Sequence, residues 1–222
     1  LIVLPVLIIA GAPPLTAIAT NKIQAVFGAG MAAFSYSRAG HVNLQKQRGL
    51  ALLALGGGIA GALLTASLPT DVIRYALPAL LVAIALFFAL KPNLDDLDRT
   101  ARLKPMVFAA VIVPLIGFYD GLIGPGAGAF YMIAFVALAG YGVLKATAHT
   151  KLLNFASNFG GLCVYAFVAS PWWITGLLMA IAQMAGAYVG TKLAMRVGSR
   201  LIKPMVVISA SALALKLIWD ML

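Results

Sequence analysis

A chain of 222 residues that is 63% hydrophobic and only 10% charged lies outside the range of soluble domains, in which about a quarter of residues are charged. Its mean hydropathy of +1.01 is carried by apolar runs long enough to cross a bilayer as helices, and the ten-residue alternation of a membrane β-barrel is absent. The net charge of +10 sits in short loops between those runs rather than on one polar face, which argues against nucleic-acid binding.

The first apolar piece, residues 1–12, ends at Pro13-Pro14. It starts without a Met or a basic stretch, so it is not a signal peptide. Leu1 stands inside a hydrophobic run, and the true start is expected upstream. Further apolar runs follow at 15–37, 49–68, 74–90, 105–120, 130–140, 146–169, 173–191 and 204–222. The longest polar connection, 91–104, holds Asp95, Asp96 and Asp98 among alternating bases. That pattern reads as a solvated loop rather than a metal cluster. Cys163 lies alone in an apolar run, so no internal disulfide is expected. Trp172 and Trp173 fit an interfacial aromatic belt. His41 sits in a basic loop with no evident partner.

Sliding the chain over itself by 129 positions places Lys22 on Lys151, Tyr36 on Tyr165, and Gly57 and Gly61 on Gly186 and Gly190. Ala17 and Ala19 fall on Ala146 and Ala148. The lysine and paired-glycine matches at one ungapped offset indicate an internal duplication. The basic residues then swap loops. The connection 38–48 carries three and its counterpart 170–172 none, whereas 70–74 carries one and 192–203 four. Under the positive-inside rule, equivalent loops lie on opposite sides of the membrane. The expected fold is therefore an all-α polytopic bundle of two inverted-topology repeats, an arrangement common in secondary transporters. Repeat one covers 1–90 and repeat two 105–222, joined by the loop 91–104 within a single transmembrane domain. With 38–48, 91–104, 141–145 and 192–203 inside, the C-terminus is outside.

Three ionisable residues remain within apolar segments: Lys22, Lys151 and Asp120. A charge at the centre of a membrane helix costs about 2.5–3.5 kcal/mol on insertion scales. Snorkelling, or a structural ion pair of Lys151 with Asp120, is the alternative to a functional role. Two lysines at duplicated positions, brought towards one centre by inversion, point to an anionic substrate. Thr147, Lys151, Asn154 and Asn158 form one polar stripe on a helix. In the first copy Asn21 and Gln24 flank Lys22, but Ala25 and Ala29 replace the two asparagines. Thr150, Asn154 and Asn21 are candidate hydrogen-bond donors. His149 either carries a proton, contacts the ligand or packs neutrally.

The stretch "GFYDGLIGPGAGAF", 117–130, interrupts a span with glycines and Pro125. Irregular backbone at membrane depth survives only inside protein or beside a wet cavity. Gly124, Pro125, Gly126 and Gly128 either present N–H groups to an anion at a helix start or form a close-packing loop. Asp120 beside them is a candidate coupling carboxylate or a lysine partner. Gly57, Gly61, Gly186 and Gly190 let helices approach closely, and are candidates for homo-oligomer contacts.

The paired "ATNK" and "AHTKLLNFASN" elements, with "GFYDGLIGPGAGAF" before the second, resemble the TauE/SafE sulfite exporter family over essentially the whole chain. The resemblance implies a multi-pass permease of the bacterial inner membrane for sulfite, organosulfonates or related small anions, with no cofactor or metal. It matches Lys22 and Lys151 to the lysines of the family's duplicated motif. The first-half glycine loop implied by the family would fall at −12 to 1, upstream of Leu1. The expected function is a secondary carrier for a sulfur oxyanion. An anion channel and an importer of another small organic anion stand as alternatives. A membrane-embedded enzyme would need a nucleophile with a base, or a metal cluster, and neither is evident with two separated histidines and one cysteine.

Overall fold

The computed structural model describes residues 3–69 and 97–198. The predicted segments 74–90 and 204–222, with Asp95 and Asp96, lie outside the described residues. Those described are helical, with no strand among them. In chain order the helices are α1 (Val3–Ile9), α2 (Pro14–Arg38), α3 (Leu44–Ser67), α4 (Pro105–Leu122), α5 (Ala127–Ala137), α6 (Val143–Val168) and α7 (Trp173–Val197). Three of them, α3, α4 and α7, are apolar and long enough to cross a membrane. The less apolar α2 and α6, of 25 and 26 residues, carry the buried polar groups.

Local chemistry sets the ends. Pro14 opens α2 at a position where its missing N–H is no loss. Asn43 caps α3 by accepting from the Lys46 N–H at 3.0 Å, so α3 begins five residues before the apolar run at 49 (Leu44 against Gly49). Hydropathy marks the membrane-embedded part of a helix, not its polar lead-in "LQKQR". Similarly, α7 runs on to Val197 past the apolar limit at 191. Within α4 the turn Phe108–Ile112 is π-helical, just before Pro114, which has no N–H for the regular ladder.

The helix boundaries repeat. Shifted by 129, Pro14 falls on Val143 and Leu44 on Trp173, the first residues of α6 and α7. The equivalent helices α2 and α6 run antiparallel. Ala17 and Ala19 cluster with Tyr165, Lys22 meets Asn158, and Tyr36 packs with Ala148. Helix α7 lies parallel to α2, tied by the Trp172 N–H donating to Thr20 Oγ1 at 2.9 Å. Helix α3 lies parallel to α6, tied by Gln47 Nε2 donating to the His149 carbonyl at 2.8 Å. Exchanging the two halves maps the first of these pairs onto the second.

Glycines bring α3 against two neighbours. A Cβ at Gly57 would lie 2.3 Å from the Pro114 carbonyl oxygen, and one at Gly61 1.9 Å from that of Phe118. One at Gly58 would lie 2.2 Å from the Ser157 carbonyl oxygen. Gly57 and Gly61 thus pack closely against α4 within the chain. Their counterparts Gly186 and Gly190 have nothing within 4 Å among the described residues. The main apolar core joins Phe108 and Val113 of α4, Tyr131 and Phe135 of α5, and Val143 and Leu153 of α6.

Candidate functional site

Where α2, α4 and α6 converge, the molecule holds a buried ion pair. Lys22 on α2 is fully buried and Asp120 on α4 is 1% exposed. Lys22 Nζ lies 2.8 Å from Asp120 Oδ1 and donates to Asn158 Oδ1 at 3.1 Å and to the Asp120 carbonyl. The second carboxylate oxygen, Oδ2, accepts from Asn154 Nδ2 at 3.0 Å, Asn158 Nδ2 at 2.8 Å and the Ser157 hydroxyl. Both charges are therefore paired and solvated by dipoles, the condition under which ions persist in an apolar interior. The stripe on α6 supplies this shell, because Asn154, Ser157 and Asn158 sit three and four residues apart on one face.

The glycine loop closes over the pair. Gly124, at φ +95°, sits so close that a Cβ there would lie 2.7 Å from Lys22 Nζ and 2.9 Å from Asp120 Oδ1. Gly126, at φ 82°, starts α5, and the Tyr119 hydroxyl donates to the Pro125 carbonyl. The Ala127 and Ala129 N–H groups turn back to the Gly124 and Gly126 carbonyls at 3.0 and 2.9 Å. Gly128 faces the Asn154 side chain.

Lys151 has a different setting. It is half-buried and lines a cavity of about 370 Å³ between α2, α6 and α7, shared with Asn154, Thr147, Gln183 and Gly28. It has no hydrogen bond or ion pair among the described residues. Ala25 and Ala29, which replace Asn154 and Asn158 in the repeat, also line this cavity. Small residues leave open, beside Lys151, the space that amides fill beside Lys22.

The structure thus brings Lys22, Asp120, Asn154 and Gly124 together, with Lys151 in the adjoining cavity bordered by Asn154. Asp120 pairs with Lys22, not with Lys151. The other candidates stand apart. Asn21 accepts from Gln24 Nε2 at 2.9 Å. Thr150 is buried, and its hydroxyl has no partner among the described residues. The His149 ring packs between Phe135 and Tyr141, with centroids at 5.7 and 5.1 Å. Ser157 and Gln183 were not singled out from the sequence; the signal for each is a polar side chain in an apolar helix. Asp98, expected in a solvated loop, caps the start of α6. It accepts from the Gly142 N–H at 2.7 Å and pairs with Lys145 at 2.6 Å. The Lys145 hydrogen bond, then that of Gly142, hold its carboxyl below the usual range.

An apolar helical bundle with a buried ion pair at a glycine loop, beside a cavity lined by a second lysine, has the make-up of a membrane transporter. The chain belongs to the Sulfite exporter TauE/SafE family, whose model matches residues 1–217. It is 52% identical over 220 residues to the "Probable membrane transporter protein ORF9" of a Sinorhizobium species, covering 99% of this chain and 84% of that protein. It is 41% identical to the "Probable membrane transporter protein YfcA" of Escherichia coli strain K12, covering 99% and 82%. A "Probable membrane transporter protein" of Haemophilus influenzae is 37% identical, covering 99% and 86%. No solved structure matches. The chain is a membrane transporter.

Proposed function

We propose that the chain is a secondary carrier for a small oxyanion, a sulfur species such as sulfite or an organosulfonate, in the bacterial inner membrane. The family's description, which names sulfite export, supports the substrate class. The observation that carries the reading is the contrast between the two lysines. Lys22 has its carboxylate, whereas Lys151, its duplicate, faces a cavity without a counter-charge among the described residues. An anion entering that cavity supplies the missing charge, and this recovers part of what it cost to bury the lysine.

The antiparallel run of α2 and α6 supports inverted repeats, because only inversion turns equivalent membrane helices end for end. The Lys22–Asp120 pair and the glycine loop then form the closed seam next to the cavity. Opening that seam separates two buried charges, unless a proton joins Asp120 or an anion joins Lys22. Asp120 is accordingly the coupling carboxylate of this reading, and Asn154 lies between it and the cavity.

The test is sulfite uptake into proteoliposomes, with thermal protection of the purified protein by sulfite. Wild type should show saturable uptake and protection, and Lys151→Met should lose both. Uptake and protection unchanged in Lys151→Met would overturn the site. Single-channel currents in place of saturable counterflow would replace the carrier by a channel.

A further inference from the structure

We infer that Gln183, on α7, is a specificity-determining residue that reads a second oxygen of the bound anion while Lys151, on α6, supplies the charge. This rests on the anion-cavity reading above and names the ligand feature that the cavity selects.

Four nitrogen-bearing side chains line the cavity: Gln24, Lys151, Asn154 and Gln183. Two have their amide nitrogens engaged. Gln24 Nε2 donates to Asn21 Oδ1, and Asn154 Nδ2 donates to Asp120 Oδ2. Lys151 and Gln183 have no acceptor among the described residues. Gln183 is a lone carboxamide between Ala182 and Met184 in an apolar membrane helix. Its stem is folded onto the α2 backbone, and a Cβ at Gly28 would lie 2.2 Å from Gln183 Cγ and 3.0 Å from Nε2. The glycine thus makes the room in which the carboxamide rests at the cavity wall.

The repeat has a different residue here. Its counterpart, 129 positions earlier, is Ala54, which is fully buried against α4. Ser157, the counterpart of Gly28, is one of the donors to Asp120. Around Lys22 the donors come from α6 and hold a resident carboxylate. Around Lys151 the corresponding wall of α2 is stripped to Ala25, Gly28 and Ala29, and α7 brings in a donor instead. The cavity has the volume of about a dozen waters, enough for a small hydrated anion.

The chemistry then separates two kinds of anion. An ammonium is a point charge that serves any anion. A carboxamide adds a directed N–H from the opposite wall, useful to an anion with two or more oxygens on one centre. A site built to hydrogen-bond a ligand discriminates against one that cannot match it. The cavity should therefore prefer sulfite or methanesulfonate over chloride, and Gln183 should account for that preference.

The experiment measures the sulfite, methanesulfonate and chloride dependence of thermal protection in purified full-length protein, with sulfite uptake into proteoliposomes. Gln183→Leu should weaken sulfite and methanesulfonate about tenfold or more, the effect of losing one hydrogen bond to a charged group. Chloride should be unchanged. Gly28→Ala, which displaces the carboxamide without removing it, should shift the preference in the same direction. Sulfite-to-chloride preference within about twofold of wild type in Gln183→Leu, while Lys151→Met still abolishes binding of all three, would overturn the role of Gln183 alone. Sulfite binding that survives Lys151→Met would instead remove the underlying site. A misfolded Gln183→Leu protein is recognised by its unliganded melting temperature, and Gln183→Met, closer in length, then takes its place with the same expectations.

Discussion

Lys22 Nζ and Asp120 Oδ1 meet at 2.8 Å inside the bundle, joining α2 of the first half to α4 of the second. Among the described residues, this contact divides the duplicated lysines into one that is paired and one that is not. The two lysines should therefore respond differently to removal of their charge.

Lys22→Met leaves Asp120 buried without its cation, and Asp120→Asn leaves Lys22 without its carboxylate. Breaking a buried pair on one side costs about 3–5 kcal/mol. Each single variant should melt well below wild type in detergent, and the double variant should recover most of the loss. Equal melting of wild type and both single variants would show that the pair has no structural role.

Lys151→Met removes a charge that has no partner among the described residues and keeps much of the apolar stem. Its melting temperature should equal or exceed that of wild type while sulfite uptake is lost. A melting temperature as low as that of Lys22→Met would mean that Lys151 is a structural cation after all.

The helical membrane fold, the offset of 129 and the placement of Lys22, Lys151 and Asp120 within apolar helices were legible in the sequence, because long apolar runs and rare charges within them are strong signals. Which lysine Asp120 would take was not. The choice depends on how closely α3 draws α4 and α6 together, and Gly58, Gly61 and Gly121 set that distance through backbone contacts with no polarity of their own. Thr150 and His149 stood as candidates beside Lys151, His149 with neutral packing as an equal alternative, and its ring packs between Phe135 and Tyr141. One and two positions from Lys151, they point about 100° and about 200° round the helix from it, and neither is among the residues that line the cavity with Thr147, Lys151 and Asn154.

The glycine seam predicts that Gly61 tolerates no side chain. Gly61→Ala sets a methyl 1.9 Å from the Phe118 carbonyl oxygen, and backbone cannot step aside as a side chain can. Overpacking of this kind costs about 1–3 kcal/mol or more. Gly61→Ala should therefore melt well below wild type in detergent. A melting temperature equal to wild type would refute close packing at Gly61.

Asp98 gives a pH signature at the α6 start. Lys145 and the Gly142 N–H depress its folded-state carboxyl. A depressed folded value means that the stabilisation is present above the ordinary carboxylate range near about pH 4. It is lost as pH falls further through the folded value. The pair is about half exposed, at 45% and 56%, so its contribution is below about 1 kcal/mol. Asp98→Asn should melt slightly below wild type at pH 7, and the gap should close on acidification. A gap that widens towards low pH would reverse the sign and exclude this ion pair as its source.

The antiparallel course of α2 and α6 makes a last prediction, on sidedness. Arg38 ends α2, and Gln45 lies near the start of α3. Because α7 runs parallel to α2, its end at Arg196 lies at the same face as Gln45, whereas Ser170, before α7, lies at the other. All three side chains are exposed. The native Cys163 is also exposed, so the single-cysteine variants are built on Cys163→Ser. In intact cells, an impermeant thiol reagent added outside should label a cysteine at Ser170 but not at Gln45 or Arg196. Permeabilisation should expose the latter two together. Their basic surroundings put them in the cytoplasm, since Lys and Arg concentrate in cytoplasmic loops. Labelling of Gln45 and Ser170 from the same side would place equivalent ends of α3 and α7 on one face, which is incompatible with two repeats of opposite orientation.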